Sequence, residues 1–278
     1  VSIRTVVVGG GIMGAGIAYE ARVAGFPVTI VEAKAELLEA AQARVDHYEQ
    51  RARAKGAALD GFGPLDLSTD LPAAAAGADV VVEAVSEDLG LKRSIFAAIG
   101  AAAGEGTVLA SNTSGLPIEV LGAASGRPAQ AVGTHFFNPV PAMRLVEVVR
   151  SSETSDAILA RALEFCHALG KQTVQVRDLP GFVTTRLGVI LLCEAIRAYE
   201  QGVASPEDLD TAMKLGWNHP MGPLELADRI GLDTILSICD DLREAYGDAF
   251  RAPPLLRQMV AAGKLGRKTE QGFYRYGG

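Results

Sequence analysis

His135 and Glu147 are the residues of this sequence best suited to moving a proton. His135 ends an apolar run and opens His135-Phe136-Phe137-Asn138-Pro139-Val140-Pro141, and Glu147 lies inside Leu145-Val146-Glu147-Val148-Val149. A carboxylate within such an apolar strand is costly unless it is paired. An imidazole is a natural partner, because a carboxylate held against one ring nitrogen fixes the tautomer and leaves the other nitrogen as a base. A histidine at a strand end is also often structural, and on the residues alone the two readings weigh evenly.

A second group binds rather than reacts. Gly9, Gly11 and Gly14 form G-x-G-x-x-G directly after an apolar run, and the next β-rich run ends in Glu32. In that motif the first glycine permits a tight turn, the second lets a pyrophosphate approach the backbone, and the third lets helix and strand pack closely. The helix N-terminus offers free N–H groups to the phosphates. An acid at the end of the second strand accepts the ribose hydroxyls and repels a 2′-phosphate. The motif alone is weak among 31 glycines; its place between strand and helix, with Glu32 beyond, is what points to a dinucleotide. Ser111-Asn112-Thr113-Ser114 also follows a β run, outside a strand's carboxyl end where α/β sheets bind ligands. Such residues equally make polar turns and N-caps, the reading the residues alone favour. Arg44, Tyr48, Arg51 and Lys55 form one stripe of a predicted helix. The stripe suits the phosphates and adenine of a coenzyme A, and suits a solvated helix face equally well.

These groups need a scaffold. Strand-like runs occur at 3–8, 28–31, 80–82, 108–110, 131–133 and 145–149, with helical patterns at 12–24, 37–55, 91–103 and 156–169. Such alternation predicts an α/β fold, a doubly wound, mostly parallel sheet with helices on both faces. Continuous valine runs suit strands buried on both sides. From 182 onward the sequence predicts helices alone, at 182–201, 206–215, 224–230, 234–246 and 255–262, with Ser205 as N-cap and Pro206 at the first helical position of one of them. Asp178-Leu179-Pro180-Gly181 is the hinge candidate, which predicts a dinucleotide-binding domain at 1–180 and an all-helical domain at 181–278 that helps close the site.

Composition narrows the partners. The length of 278 residues suits two domains at about 150 residues each. With 49% apolar and 21% charged residues the chain is globular rather than disordered. The net charge of −7 argues against nucleic acid and anionic membranes as partners. No apolar run reaches the roughly 18 residues of a membrane span, and no signal peptide is visible. Cys166, Cys193 and Cys239 are too few and scattered for a disulfide framework or a zinc site, so no metal is expected. A reducing, cytoplasmic setting is the default expectation.

Taken together, the chain resembles the L-3-hydroxyacyl-CoA dehydrogenase family, of the bacterial short-chain 3-hydroxybutyryl-CoA dehydrogenase type. The matching text runs nearly the whole length: Gly9-Gly10-Gly11-Ile12-Met13-Gly14-Ala15-Gly16-Ile17-Ala18, Val81-Val82-Glu83-Ala84, Ser111 to Ser114, His135 to Pro141, Leu145 to Val149, Pro180-Gly181-Phe182-Val183, His219-Pro220-Met221-Gly222-Pro223, and Gly266-Arg267-Lys268 with Gly272-Phe273-Tyr274. The resemblance implies NAD as cofactor and reversible hydride transfer at C3 of an acyl-CoA thioester. It implies His135 as the base for the 3-hydroxyl, oriented by Glu147, with Ser114 and Asn138 bonding the reacting oxygen or the thioester carbonyl. Gly9 to Gly14 and Glu32 would hold the adenosine half of NAD, and Glu87, Lys92, Ser114 and Lys268 would contact its nicotinamide half. Lys55 would meet the CoA moiety, and a homodimer would form through the helical domain.

The chain departs from the family pattern in places. Thr185 precedes Arg186 where the family has Asn before that Arg, and Gly115 follows Ser114 in place of a second Ser. The segment 56–69 looks shorter than the family's second helical arm, which leaves a free 3-hydroxy acid or an acyl-carrier-protein thioester as alternative substrates. A dinucleotide-binding protein without turnover is the alternative of another class. Thr185 is carried as a substrate-positioning residue.

Overall fold

The computed structural model describes residues 2–56 and 60–277. The chain divides into two compact units, Val1–Phe182 and Val183–Gly278. The first unit is built on one eight-stranded sheet of order β3-β2-β1-β4-β5-β6-β7-β8. Its strands are β1 (Thr5–Val8), β2 (Val28–Val31), β3 (Leu65–Ser68), β4 (Val80–Glu83), β5 (Val108–Ser111), β6 (Ala131–Phe136), β7 (Leu145–Arg150) and β8 (Gln172–Arg177). All neighbouring pairs are parallel except β6 and β7.

The helices are α1 (Ile12–Val23), α2 (Ala35–Ala54), α3 (Leu71–Ala75), α4 (Leu89–Ala102), α5 (Ile118–Ser125) and α6 (Asp156–Ala168). Successive strand residues serve opposite cores. Val7, Ile30, Val82 and Val132 pack with Ile17 of α1, Val45 of α2 and Phe165 of α6. Val6, Val8, Val81 and Leu109 pack with Phe96 of α4 and Leu121 of α5. A sheet covered on both faces favours near-continuous apolar runs, which is why β1 reads Thr-Val-Val-Val and is wholly buried.

Two strands and two helices lie outside the runs expected from the sequence. β3 and β8 are the edge strands, half-exposed, with polar residues alternating through them. α3 and α5 have only five and eight residues. Helix α4 starts two residues earlier than expected because the Asp88 carboxylate caps it, accepting from the Leu91 N–H at 2.7 Å.

The second unit contains α7 (Thr184–Glu200), α8 (Pro206–Gly216), α9 (Pro223–Ile230), α10 (Leu232–Tyr246) and α11 (Pro254–Ala261). Helix α7 begins after residue 182 because Phe182 has φ 48°, outside the helical region. The expected cap of α8 is present: Ser205 accepts from the Asp208 N–H, with Pro206 in the first turn. Val189, Leu192, Cys193 and Ile196 give α7 its buried face, packed against Leu224 of α9 and Ile235 and Cys239 of α10. Leu187 and Leu191 of the same helix stay exposed.

Candidate active site

The antiparallel pairing of β6 with β7 brings His135 and Glu147 together. Residues 137–144 reverse the chain, and the register sets His135 directly opposite Glu147. Side chains so paired share one face of the sheet with Cβ atoms roughly 5 Å apart. The imidazole Nδ1 lies 2.8 Å from Glu147 Oε2. Glu147 is fully buried and the His135 side chain is 10% exposed. The rings of Phe137 and Phe182 flank the imidazole at 4.5 and 5.9 Å. A carboxylate at that distance favours the tautomer with its proton on Nδ1, which leaves the Nε2 lone pair to take another proton.

Ser114 sits on the next loop, beyond β5. Its N–H and hydroxyl both donate to Glu87 Oε1, at 2.8 and 3.0 Å, and the Thr113 hydroxyl donates to the same oxygen at 2.6 Å. Burial would raise the Glu87 carboxyl, but the Thr113 hydroxyl, the Lys92 ammonium and the Ser114 N–H together hold it below its ordinary value of 4.5. The Phe136 N–H donates to Asn112 Oδ1 at 3.0 Å, which ties this loop to the end of β6 beside His135. Asn138 is exposed, in the turn three residues after His135.

Lys92 is 1% exposed. Its ammonium donates to Glu83 Oε1 at 2.7 Å and to the Val85 carbonyl at 3.3 Å, and lies 3.2 Å from Glu87 Oε2. Those three partners match the three protons it carries. Glu83, fully buried at the end of β4, also accepts from the Ser111 hydroxyl at 2.7 Å and the Val85 N–H at 2.8 Å. The sequence offers Glu83 no role, and Ser111, Asn112 and Thr113 only the shared alternatives of a ligand loop or a polar turn. The signal for Glu83 was the one used for Glu147, a carboxylate within a valine run that must find a partner.

The glycine turn follows β1 and is shaped for a dinucleotide. Gly9 has φ 96°, a conformation side chains disfavour. A Cβ on Gly14 would lie 1.8 Å from the Gly9 carbonyl, so α1 can approach β1 only through glycine. A Cβ on Gly11 would meet nothing within 4 Å, which leaves open space beside the uncapped N-terminus of α1. Ile12 is 60% exposed there, and Met13 packs against the core. Gly9, Gly11, Glu32, Val85, Leu91 and Ile95 line a cavity of about 480 Å³ at the point where strand order reverses between β1 and β4. Glu32 Oε1 accepts the Gly10 N–H at 2.6 Å, which aims the carboxylate along the turn. These features fit a dinucleotide: room at the second glycine, free N–H groups, and an acid at the end of β2.

The cationic stripe of α2 divides. Arg44 donates to the Gly10 carbonyl at 3.1 Å and so belongs to the glycine turn, not with the other two cations. Tyr48, Arg51 and Lys55 line a cavity of about 210 Å³ with Tyr19 and with Pro139, Pro141 and Ala142 of the turn after His135. Residues 57–59 of the segment read as a short arm lie outside the described residues. In the second unit, Lys268 Nζ lies 2.5 Å from both carboxylate oxygens of Asp233, holding that acid below its ordinary range. Thr185 is half-buried in the first turn of α7. Among the described residues no cluster of His, Cys, Asp and Glu could hold a metal, and no helix is long and apolar enough to cross a membrane.

Comparison with known proteins places this arrangement. Residues 4–179 match the 3-hydroxyacyl-CoA dehydrogenase NAD binding domain, and residues 181–276 match the 3-hydroxyacyl-CoA dehydrogenase C-terminal domain. The chain is 46% identical to a probable 3-hydroxybutyryl-CoA dehydrogenase of Deinococcus radiodurans, over 97% of this chain and 99% of that one. It is 42% identical to the mitochondrial hydroxyacyl-coenzyme A dehydrogenase of Rattus norvegicus, over 97% and 90%. The crystal structure of (S)-3-hydroxybutyryl-CoA dehydrogenase from Ralstonia eutropha superposes with a TM-score of 0.93 at 40% identity, covering 100% of both chains. This chain belongs to the 3-hydroxyacyl-CoA dehydrogenase family.

Proposed function

We propose that the chain interconverts an L-3-hydroxyacyl-CoA and its 3-oxoacyl-CoA with NAD(H), on short acyl chains such as 3-hydroxybutyryl-CoA and acetoacetyl-CoA. The observation that carries this reading is the buried His135–Glu147 pair on facing strands. NAD, held by the glycine turn and Glu32, would supply the hydride acceptor for C3. His135 takes the 3-hydroxyl proton on Nε2 during oxidation and returns it during reduction. Glu147 fixes the tautomer and stabilises the imidazolium that results. Glu87 gathers the Ser114 hydroxyl and N–H and so holds the serine that meets the reacting oxygen, with the Asn138 amide as its companion. Lys92 serves this reading by holding Glu87. Arg51 and Lys55 meet the CoA phosphates. The glycine turn and Glu32 take the adenosine half of NAD, and Lys268 serves its nicotinamide half.

A homodimer formed through the helical unit belongs to the same reading; Leu187, Leu215 and Trp217 supply exposed apolar surface for it. So does a cytoplasmic setting. The deciding experiment follows NADH oxidation with acetoacetyl-CoA, free acetoacetate and an acetoacetyl carrier-protein thioester. Turnover of the CoA thioester alone is expected. Preference for the free acid or the carrier-protein ester replaces the substrate, and absence of turnover on all three leaves a binding protein.

NADH should be preferred over NADPH, because Glu32 sets a carboxylate where the 2′-phosphate would lie. Glu32→Ala should narrow the ratio of kcat/KM values between the two coenzymes. An unchanged ratio removes Glu32 from the ribose site. Thr185→Val should lower kcat/KM about 2- to 13-fold, the worth of one neutral hydrogen bond of about 0.5–1.5 kcal/mol, with the melting temperature unchanged. A loss of melting temperature with normal kinetics assigns Thr185 to packing in the first turn of α7.

A further inference from the structure

We propose that Lys171 is a positioning residue for substrate, pinning the turn 138–144 so that the cavity beside it keeps its shape. This inference rests on the acyl-CoA reading above.

Lys171 is 6% exposed, between α6 and β8, away from His135 in sequence and charged where the fold needs no charge. Its ammonium donates to the Val140 carbonyl at 2.8 Å and the Met143 carbonyl at 3.2 Å, and pairs with Glu20 of α1 at 2.8 Å. Three protons meet three acceptors. Two of those acceptors are main-chain oxygens of the turn that follows His135. The turn's own closing bonds are short-range, from the Ala142 and Met143 N–H groups to the Pro139 carbonyl.

The far end of the pin rests on α1. Glu20 neighbours Tyr19, and Tyr19 faces Pro139, Pro141 and Ala142 across the cavity that Arg51 and Lys55 also line. Val140, 1% exposed, lies over Gly16 of α1, where a Cβ would come within 2.9 Å of it. One buried ion pair thus joins both walls of the cavity, the turn on one side and α1 on the other. A buried ion pair is weak as a stability device, since apolar residues of similar volume often serve as well. An apolar residue at 171 would leave two inward-facing carbonyls without a donor. The charge therefore does what packing cannot, and fixes the turn that carries Asn138.

The test compares the full-length wild type with Lys171→Met and with Lys171→Met/Glu20→Gln, measuring melting temperature and the KM for acetoacetyl-CoA and for NADH. The single variant should melt lower, because Glu20 is left uncompensated. Its KM for acetoacetyl-CoA should rise roughly tenfold, since misplacing substrate-positioning groups by about 1 Å can cost up to about 10²-fold. Its KM for NADH should stay within about twofold. The double variant should recover the part of the melting temperature that the uncompensated Glu20 costs and keep the raised KM, because the carbonyls still lack their donor. A KM that returns with the melting temperature, or that never rises, overturns the proposal and makes the pair merely structural. If the single variant does not fold, the double variant alone decides by the same KM. A wild type that fails to turn over acetoacetyl-CoA overturns the acyl-CoA reading, and with it the substrate role of the pin, on a separate observation.

Discussion

His135→Ala should lower kcat for acetoacetyl-CoA reduction by about 10²–10⁴-fold, the usual worth of a positioned general acid–base. The KM for NADH should hardly move, because the imidazole is on β6, two strands away from the β1–β4 crevice where the glycine turn opens. Glu147→Gln should cost part of the same factor. The amide keeps the shape but can turn an N–H toward Nδ1, which favours the tautomer with its proton on Nε2 and leaves the imidazolium without a counter-charge. The pair lies 2.8 Å apart with one partner fully buried, so Gln at 147 would keep the contact and remove the charge. The measurement is kcat and both KM values for each variant at a pH where the wild type is fastest. A near-wild-type kcat for His135→Ala would make the pair a strand-pairing device and remove the chemistry assigned to it.

The position of this pair was legible in the sequence for a physical reason. A glutamate in Leu145-Val146-Glu147-Val148-Val149 has to find a partner, and the imidazole of His135 at the end of another apolar run is a natural one. The same logic applies to Glu83, which ends Val80-Val81-Val82, though nothing in the sequence names its partner. Lys92 lies nine residues on and reaches it only because α4 folds back over the sheet. Resemblance placed Lys92 against the nicotinamide; the ammonium is enclosed by Glu83, Glu87 and the Val85 carbonyl, so its part in the reading runs through Glu87.

The central strands were readable because burial on both faces demands unbroken valine and isoleucine runs. The edges were not. β8 carries Gln172, Gln175 and Arg177 among its apolar residues, since much of it meets water. β3 has four residues, one of them Asp66. The α2 stripe shows the limit of helical spacing as a guide. Arg44 shares a helix face with Lys55 but is more than two turns away, far enough for one to serve the glycine turn and the other the second cavity.

Glu83→Ala should destabilise the first unit by about 3–5 kcal/mol, the cost of breaking a buried ion pair from one side. At about 2–4 °C per kcal/mol for a unit of this size, the melting temperature should fall by roughly 6–20 °C. The substitution takes a partner from the Ser111 hydroxyl, the Val85 N–H and the Lys92 ammonium at once. It leaves Lys92, 1% exposed, with Glu87 as its carboxylate partner. Glu83→Gln/Lys92→Met should recover most of the loss, because both charges go together. The network also sets an acid limit. Glu87 is held below its ordinary value in the folded chain, so it contributes stability above that value, and the contribution is lost as pH falls through the lower folded value. Melting curves from pH 7 down to pH 3 should therefore drop more steeply below about 4.5 for the wild type than for Glu87→Gln, which has no such proton to bind. A Glu83→Ala chain that melts within about 1 kcal/mol of wild type, or parallel acid limbs for the two chains, would mean that solvent reaches this cluster and that Ser114 is held by something other than the Glu83–Lys92–Glu87 chain.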